Sequence, residues 1–452
     1  MTPEMIFRAS RILTPDGVVA GSVAVAGGKI VEVAVGDLSA GDSPAVELAD
    51  EEVLLPGLVD THVHVNEPGR TDWEGFASAT RAAAAGGVTT LLDMPLNSIP
   101  PTTSPEALAV KREAARGKCM VDVGFWGGAV PETLGQLREL HEAGVFGFKC
   151  FLLDSGVLEF PPLSSEQLKA AMAEIASFDG LLIVHAEDPD VILANACPST
   201  TRYADFVSSR PPLAETRAIE TVIDAARSTG CRAHIVHLSS ADAVPALAAA
   251  RQEGVRITVE TCPHYLALSA EEVADGATQF KSCPPVRDAA NRDRLWQALA
   301  DGVIDFVVSD HSPSPPELKR PDSGDFAAAW GGISSLQVGL SVVWTEARLR
   351  GHSLVDVIGW MSERPAATVG LSGKGQIRLG NDADLVIFAP DEHWVVEPAT
   401  LQHRHPVSPY ADRHLTGSTR ATYLQGRRVD LAGDPRGTFL TPLSSTPSGS
   451  LL

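Results

Sequence analysis

The sequence predicts an α/β protein: a (β/α)8 barrel of the TIM type, with a small β-sandwich built from the N- and C-terminal segments. Three observations predict it. Eight short apolar runs alternate with helix-like segments between residues 54 and 374. Four of those runs end in imidazole or carboxylate groups: Asp60-Thr61-His62-Val63-His64, Ile183-Val184-His185, Ile235-Val236-His237 and Val307-Val308-Ser309-Asp310-His311. Strand-like stretches flank the alternating region on both sides. An apolar run of this kind suits a parallel strand buried on both faces. In a barrel all C-terminal strand ends open on one face, so groups far apart in sequence meet there. A doubly wound sheet is the alternative, but no glycine-rich phosphate fingerprint follows the first strand.

The elements follow in order. Residues 1–53 read as β, with strand-like runs at 6–13, 21–25 and 30–35 separated by turns at Gly17, Gly27-Gly28 and Gly36. The barrel strands are expected at 58–65, 88–93, 121–126, 147–152, 181–185, 233–237, 256–261 and 304–309. Helices are expected between them at 71–85, 104–116, 132–143, 164–177, 215–229 and 241–253. Residues 375–440 turn β again, with strand-like runs at 375–377, 383–388 and 423–429 that should pair with the N-terminal segment. From Thr441 to Leu452 the chain is rich in Ser, Thr and Pro and is expected to be a mobile tail.

Composition narrows the function. At 452 residues the chain is long for one core, so a large domain with a smaller one is expected. A hydrophobic content of 44% and a mean hydropathy of +0.04 suit a well-buried enzyme and exclude a disordered chain. The formal charge of -21 and pI near 5.0 argue against nucleic acid or an anionic membrane as the main partner. Met1-Thr2-Pro3-Glu4-Met5 lacks the basic start of a signal peptide, and no apolar run is long enough to span a membrane. Six cysteines without a CxxC pair read as reduced thiols in a cytoplasmic protein.

The strand-end residues carry the chemistry. His62 and His64 lie two apart on a strand, so both rings face one side and can reach one metal. Asp60 shares that face and can orient a ring. His185 and His237 each close an apolar run in matched positions; His234 lies outside the strand-end position and His264 follows Cys262-Pro263, so both are less favoured. Lys149 sits in the apolar run Gly147-Phe148-Lys149-Cys150-Phe151, where an ammonium is costly and tends to lose its proton. A neutral amine there can capture carbon dioxide as a carbamate able to bridge two divalent ions. Asp310 ends the last strand; it can bind metal and accept a proton from water activated there. Pro313, Pro315 and Pro316 argue against its being an ordinary helix cap. Asn97, Ser282 and Ser312, in loops after strands, are the candidates for substrate contact.

These residues, with the runs Val65-Asn66-Glu67-Pro68-Gly69-Arg70, Asp93-Met94-Pro95-Leu96-Asn97-Ser98, Glu260-Thr261-Cys262-Pro263-His264-Tyr265 and Trp330-Gly331-Gly332-Ile333, resemble the cyclic amidohydrolases of the amidohydrolase superfamily, above all the allantoinase group. The resemblance covers essentially the whole chain. It implies hydrolysis of the hydantoin ring of allantoin to allantoate at a binuclear centre. It also implies that carboxylated Lys149 bridges two ions, with His62, His64 and Asp310 on one and His185 and His237 on the other. Zinc suits this set, and cobalt, manganese or iron could occupy it. A homotetramer is implied as well. Dihydroorotases and hydantoinases (dihydropyrimidinases) are relatives with the same ligands, and a ligand-depleted, non-catalytic assembly protein is the non-enzyme alternative. In dihydroorotases an arginine two residues after the second histidine grips the substrate carboxylate; this chain has Asn66 there, which cannot form that ion pair.

Overall fold

The computed structural model describes residues 2–39 and 43–442; residues 443–452 of the expected tail lie outside the described residues. Five strands open the chain: β1 (Met5–Thr14), β2 (Gly17–Ala26), β3 (Lys29–Val35), β4 (Ala45–Glu47) and β5 (Val53–Pro56). The barrel follows with β6 (Leu58–Val63), β7 (Val88–Asp93), β8 (Asp122–Phe125) and β9 (Gly127–Gly128). It continues with β10 (Phe148–Phe151), β11 (Leu181–His185), β12 (Arg232–Ile235), β13 (Ile257–Thr261) and β14 (Phe306–Val307). The chain then returns to the first sheet with β15 (Leu385–Val395), β16 (His414–Leu424) and β17 (Arg427–Arg428).

All barrel pairings are parallel, in the order β6-β7-β8 and β9-β10-β11-β12-β13-β14. The single residue Trp126 separates β8 from β9, and the Phe146 amide, two residues before β10, donates to Phe125 O of β8 at 3.0 Å, which joins the two arcs. A parallel bridge between Val63 and His311 closes last strand on first. The eight expected strands are therefore present, and the fold is the barrel with a small β-sandwich. Strands such as Val-Thr-Thr-Leu-Leu-Asp of β7 are buried at every residue, as a parallel strand covered on both faces must be.

The helices begin where side chains can satisfy their free amides. Ser104 accepts from Ala107 N ahead of Pro105, and Asp288 accepts from Asn291 N. Ser164 and Gln167 cap one another reciprocally. Helix Pro212–Thr229 stops at Gly230, whose φ of 73° is the left-handed cap conformation.

The flanking segments form one sheet in the order β17-β16-β15-β5-β1-β2-β3, with β4 on β1. The antiparallel pairing of β15 with β5, Val386 opposite Leu55, brings the two ends of the chain together. Phe7, Ile12, Val23, Leu54, Leu385 and Tyr423 belong to its core. Beyond β17 the chain leaves this sheet. Phe439 bridges Val123 in the barrel, and a Cβ on Gly437 would sit 1.9 Å from Val121 O, so only glycine permits that approach. A buried Lys374 ties the parts, with its ammonium 2.6 Å from both Asp122 and Asp384 and 3.0 Å from Asp382.

Several expected elements differ. The helix at 132–143 is cut to Leu137–Glu142 after a short turn at Pro131–Thr133, because Gly135 adopts φ 89° between them. The helix at 71–85 starts only at Phe76, whose amide donates to Glu67 Oε2. The strand at 233–237 ends at Ile235 because His237 turns to φ 41°, and the strand at 304–309 shrinks to two residues because Ser309 N donates to Asp60 rather than along the ladder. Residues 375–377 form no strand: Gly375 packs against Ser362 O at φ 82°. Strand β16 was not expected before Tyr423, since its run through Thr416, Ser418, Thr419 and Thr422 carries little apolar signal. No helix among the described residues is long and apolar enough to cross a membrane.

Candidate metal centre and substrate pocket

The barrel gathers all six candidate ligands at its C-terminal mouth. His62 lies near the end of β6, with His64 just beyond; Lys149 is in β10, His185 ends β11, His237 lies two residues past β12, and Asp310 lies three past β14. His62 Nε2 is 3.2 Å from both Lys149 Nζ and Asp310 Oδ1, and His64 Nε2 is 3.7 Å from the same carboxylate oxygen. The His237 ring centroid lies 5.5 Å from that of His62 and 4.6 Å from that of His185. All six are buried. Asn97, His237 and Asp310 hold left-handed backbones, at φ 69°, 41° and 43°. Each costs about 1–3 kcal/mol, and such strain persists where the surrounding structure fixes a functional geometry.

The electrostatics suit a cation centre. Burial holds the imidazoles of His62, His64 and His237 well below the usual histidine range, helped by the nearby charge of Lys149. They are therefore neutral and carry lone pairs. Burial also pulls the Lys149 ammonium down to about 8, against the attraction of Asp310 and Glu260. It pushes Asp310 up to about 7, against Lys149. Cations would relieve the destabilised carboxylate and use the lone pairs of the neutral imidazoles, while the destabilised ammonium is one that readily gives up its proton. His237 Nδ1 is buried without a hydrogen-bond partner. The residues present thus fit a metal centre.

Carboxylates behind the rings fix which nitrogen is free. His62 Nδ1 donates to Glu260 Oε1 at 2.5 Å, leaving Nε2 for the centre. Glu260 also accepts from the His237 amide at 3.2 Å and pairs its other oxygen with His234 Nε2 at 3.0 Å. His185 Nε2 donates to Glu187 Oε2 at 2.8 Å, leaving Nδ1. Burial alone would raise Glu187, but Arg210 at 2.6 Å and His185 outweigh it and draw its carboxyl down to about 2. Asp60 accepts from the amides of His62 and Ser309, joining the first and last strand ends. Glu187→Gln should lower metal affinity about 10–100-fold while the protein keeps its melting temperature within a few degrees. Metal titration by calorimetry checks this, and unchanged affinity would show that Glu187 does not orient His185.

A cavity of about 230 Å³ opens over this cluster. His64, Lys149, His185, His237 and Asp310 form its floor, and Asn97, Ser282 and Ser312 all lie in its wall beside Phe151, Trp330 and Gly331. Ser282 Oγ donates to Pro284 O at 2.9 Å, and Asn97 Nδ2 lies 3.4 Å from His64 Nδ1. Asn66 lies outside this wall: it is buried, and its amide donates to Pro313 O at 3.4 Å. Any effect of having asparagine there comes from the missing cation and not from direct contact. His234 is held between Thr258 and Glu260. Glu260, Glu187 and Arg210 were not among the sequence candidates. Glu260 closes an apolar strand as the ligands do, and Glu187 stands two residues after His185, so both had a signal; Arg210 follows the helix Tyr203–Ser209 and had none.

Comparisons with known proteins agree with this arrangement. The chain is 56% identical to an allantoinase of Streptomyces avermitilis over 97% of its length and 98% of that protein's. It is 44% identical to an allantoinase of Arabidopsis thaliana over 93% of this chain and 87% of the relative. Among solved structures, L-hydantoinase (dihydropyrimidinase) from Arthrobacter aurescens matches with a TM-score of 0.90 at 29% identity, covering 97% of this chain and 100% of the other. Residues 53–429 match the amidohydrolase family. The chain therefore belongs to the amidohydrolase family.

Proposed function

We propose that this chain hydrolyses the five-membered ring of allantoin to give allantoate, at a centre of two divalent cations. The observation that carries the substrate is its full-length 56% identity to an allantoinase. Support for the chemistry comes from the six converging groups. His62, His64 and Asp310 would hold one cation, His185 and His237 the other, and Lys149, carboxylated, would join the two. Such cations make water a nucleophile near neutral pH and polarise a carbonyl. The neutral amine of Lys149 gives up a proton as its nitrogen bonds to carbon dioxide, and the anionic carbamate replaces an unfavourable buried ammonium. Zinc suits a set of imidazole, carbamate and carboxylate, and cobalt, manganese and iron compete for it.

The chain's own residues then do the following. The Asp310 carboxylate accepts the proton of the attacking water and returns it to the ring nitrogen as the C–N bond breaks. Asn97, Ser282 and Ser312 offer the wall hydrogen bonds that orient the ring, and Trp330 and Phe151 supply apolar cover. The same resemblance carries a cytoplasmic homotetramer; a monomer in sedimentation would remove that part.

The metal-loaded protein is expected to prefer allantoin over dihydrouracil and to turn over dihydroorotate poorly. The carboxylate of dihydroorotate would lack the arginine that its own enzymes place at the position of Asn66. Steady-state kcat/KM for the three substrates is the test. Efficient dihydroorotate hydrolysis with negligible allantoin hydrolysis overturns the assignment.

A further inference from the structure

Metal-binding side chains at the barrel mouth do not end with the six above. Cys262 and His264 follow β13, and their ligand atoms lie with an Asp310 oxygen all within 4.8 Å of one another. Only one other such grouping occurs among the described residues, His62 with His64 and Asp310. Cys262 and His264 expose no surface. Yet neither ring nitrogen of His264 has a hydrogen-bond partner. A buried neutral imidazole presents one donor and one acceptor, and both normally find partners. The neighbouring Tyr265 cannot supply one, because its hydroxyl donates to Pro284 O at 2.7 Å and its ring meets His264 edge-on at 4.1 Å. Burial keeps the imidazole neutral, with its lone pair available.

The donor set narrows the ligand. One thiol, one imidazole and one carboxylate suit ions of the zinc group, with sulfur favouring the softer members. A cysteine binds a cation as its thiolate, so an ion must displace the thiol proton. Hard cations such as magnesium do this poorly and thiophilic ones readily. Asp310 lines the substrate cavity, which gives an ion its way in.

We infer that Cys262, His264 and Asp310 form an additional cation site, beside the proposed catalytic centre, that takes a thiophilic divalent ion and inhibits the enzyme by engaging the Asp310 carboxylate. On binding, a cation–sulfur bond forms, the S–H bond breaks and its proton passes to solvent; nothing is oxidised or reduced. Cation binding is independent of the substrate reading, whereas inhibition rests on the role given to Asp310 above.

Cadmium serves as the probe, because none of the six proposed catalytic ligands is sulfur. The metal-loaded full chain is titrated with cadmium while the ultraviolet thiolate-to-cadmium charge-transfer band, the cadmium content and ring hydrolysis are followed. The band should grow with one additional bound cadmium, and activity should fall in parallel. Cys262→Ser and His264→Gln should each lose the band and the additional ion and resist inhibition. Cys283→Ser, which alters the thiol lining the cavity, should keep the band and the additional ion. No band in the parent, a band surviving in Cys262→Ser, or a band lost in Cys283→Ser overturns the site. A band with undiminished activity overturns the engagement of Asp310. If Cys262→Ser does not fold, Cys262→Ala and His264→Gln decide by the same readouts. Failure to hydrolyse allantoin would count against the proposed function alone, since the band and cadmium content do not depend on substrate.

Discussion

Lys149→Ala is expected to give a folded protein that holds little metal and has no measurable ring hydrolysis. Lys149 is 1% exposed in β10, and its ammonium is 3.2 Å from His62 Nε2. Burial pulls it down to about 8, so a neutral amine is accessible near physiological pH. As a carbamate it would offer two oxygens to two cations; as an ammonium it would repel both. Alanine supplies neither charge nor oxygen, and the two cations would lose their shared ligand. The fold should survive, because the substitution removes a costly buried charge with no salt bridge to a carboxylate within 4 Å among the described residues. Metal content by mass spectrometry, thermal melting and kcat on one preparation separate these effects. A short carboxylic acid added with metal should restore part of the activity by occupying the vacated space. Two ions and normal turnover in Lys149→Ala would falsify the bridging role.

The barrel was legible because its signal is physical and local. A parallel strand covered on both faces needs an unbroken apolar run, and β7 and β11 match their expected limits to the residue. The convergence of the candidate ligands was legible for a related reason: a polar group at the end of such a run must be satisfied by something, and several in register point to one mouth. What could not be read was set by tertiary context. β16 is polar along much of its length and is a strand only because β15 pairs with it. The helix at 132–143 breaks at a glycine whose left-handed backbone no periodicity reveals. Arg210 reaches Glu187 across the fold, and no spacing in the sequence links an arginine after one helix to a carboxylate after a strand. Asn66, singled out for lacking a charge, turns out to face Pro313 and not the cavity.

Asp310→Asn is expected to lower kcat by about 10²–10⁴-fold, the usual loss when a general base is removed, with a much smaller change in metal content. Asp310 Oδ1 is 3.2 Å from His62 Nε2 and 3.7 Å from His64 Nε2, so one oxygen already faces the ligand cluster. Asparagine keeps an oxygen of the same reach but cannot accept a proton at neutral pH. Ligation should then be weakened, while proton transfer from water to the ring nitrogen is lost. The left-handed backbone at Asp310 also favours this substitution over others, since asparagine tolerates φ 43° about as well as aspartate. A kcat loss caused by misfolding is thereby made a poor explanation. Metal stoichiometry and kcat are measured on the same preparation. Near-normal kcat removes Asp310 from the proton path. Low kcat with metal retained supports it as the base, and low kcat with metal lost reduces it to a ligand, because the proton transfer would then have no water-activating centre to serve.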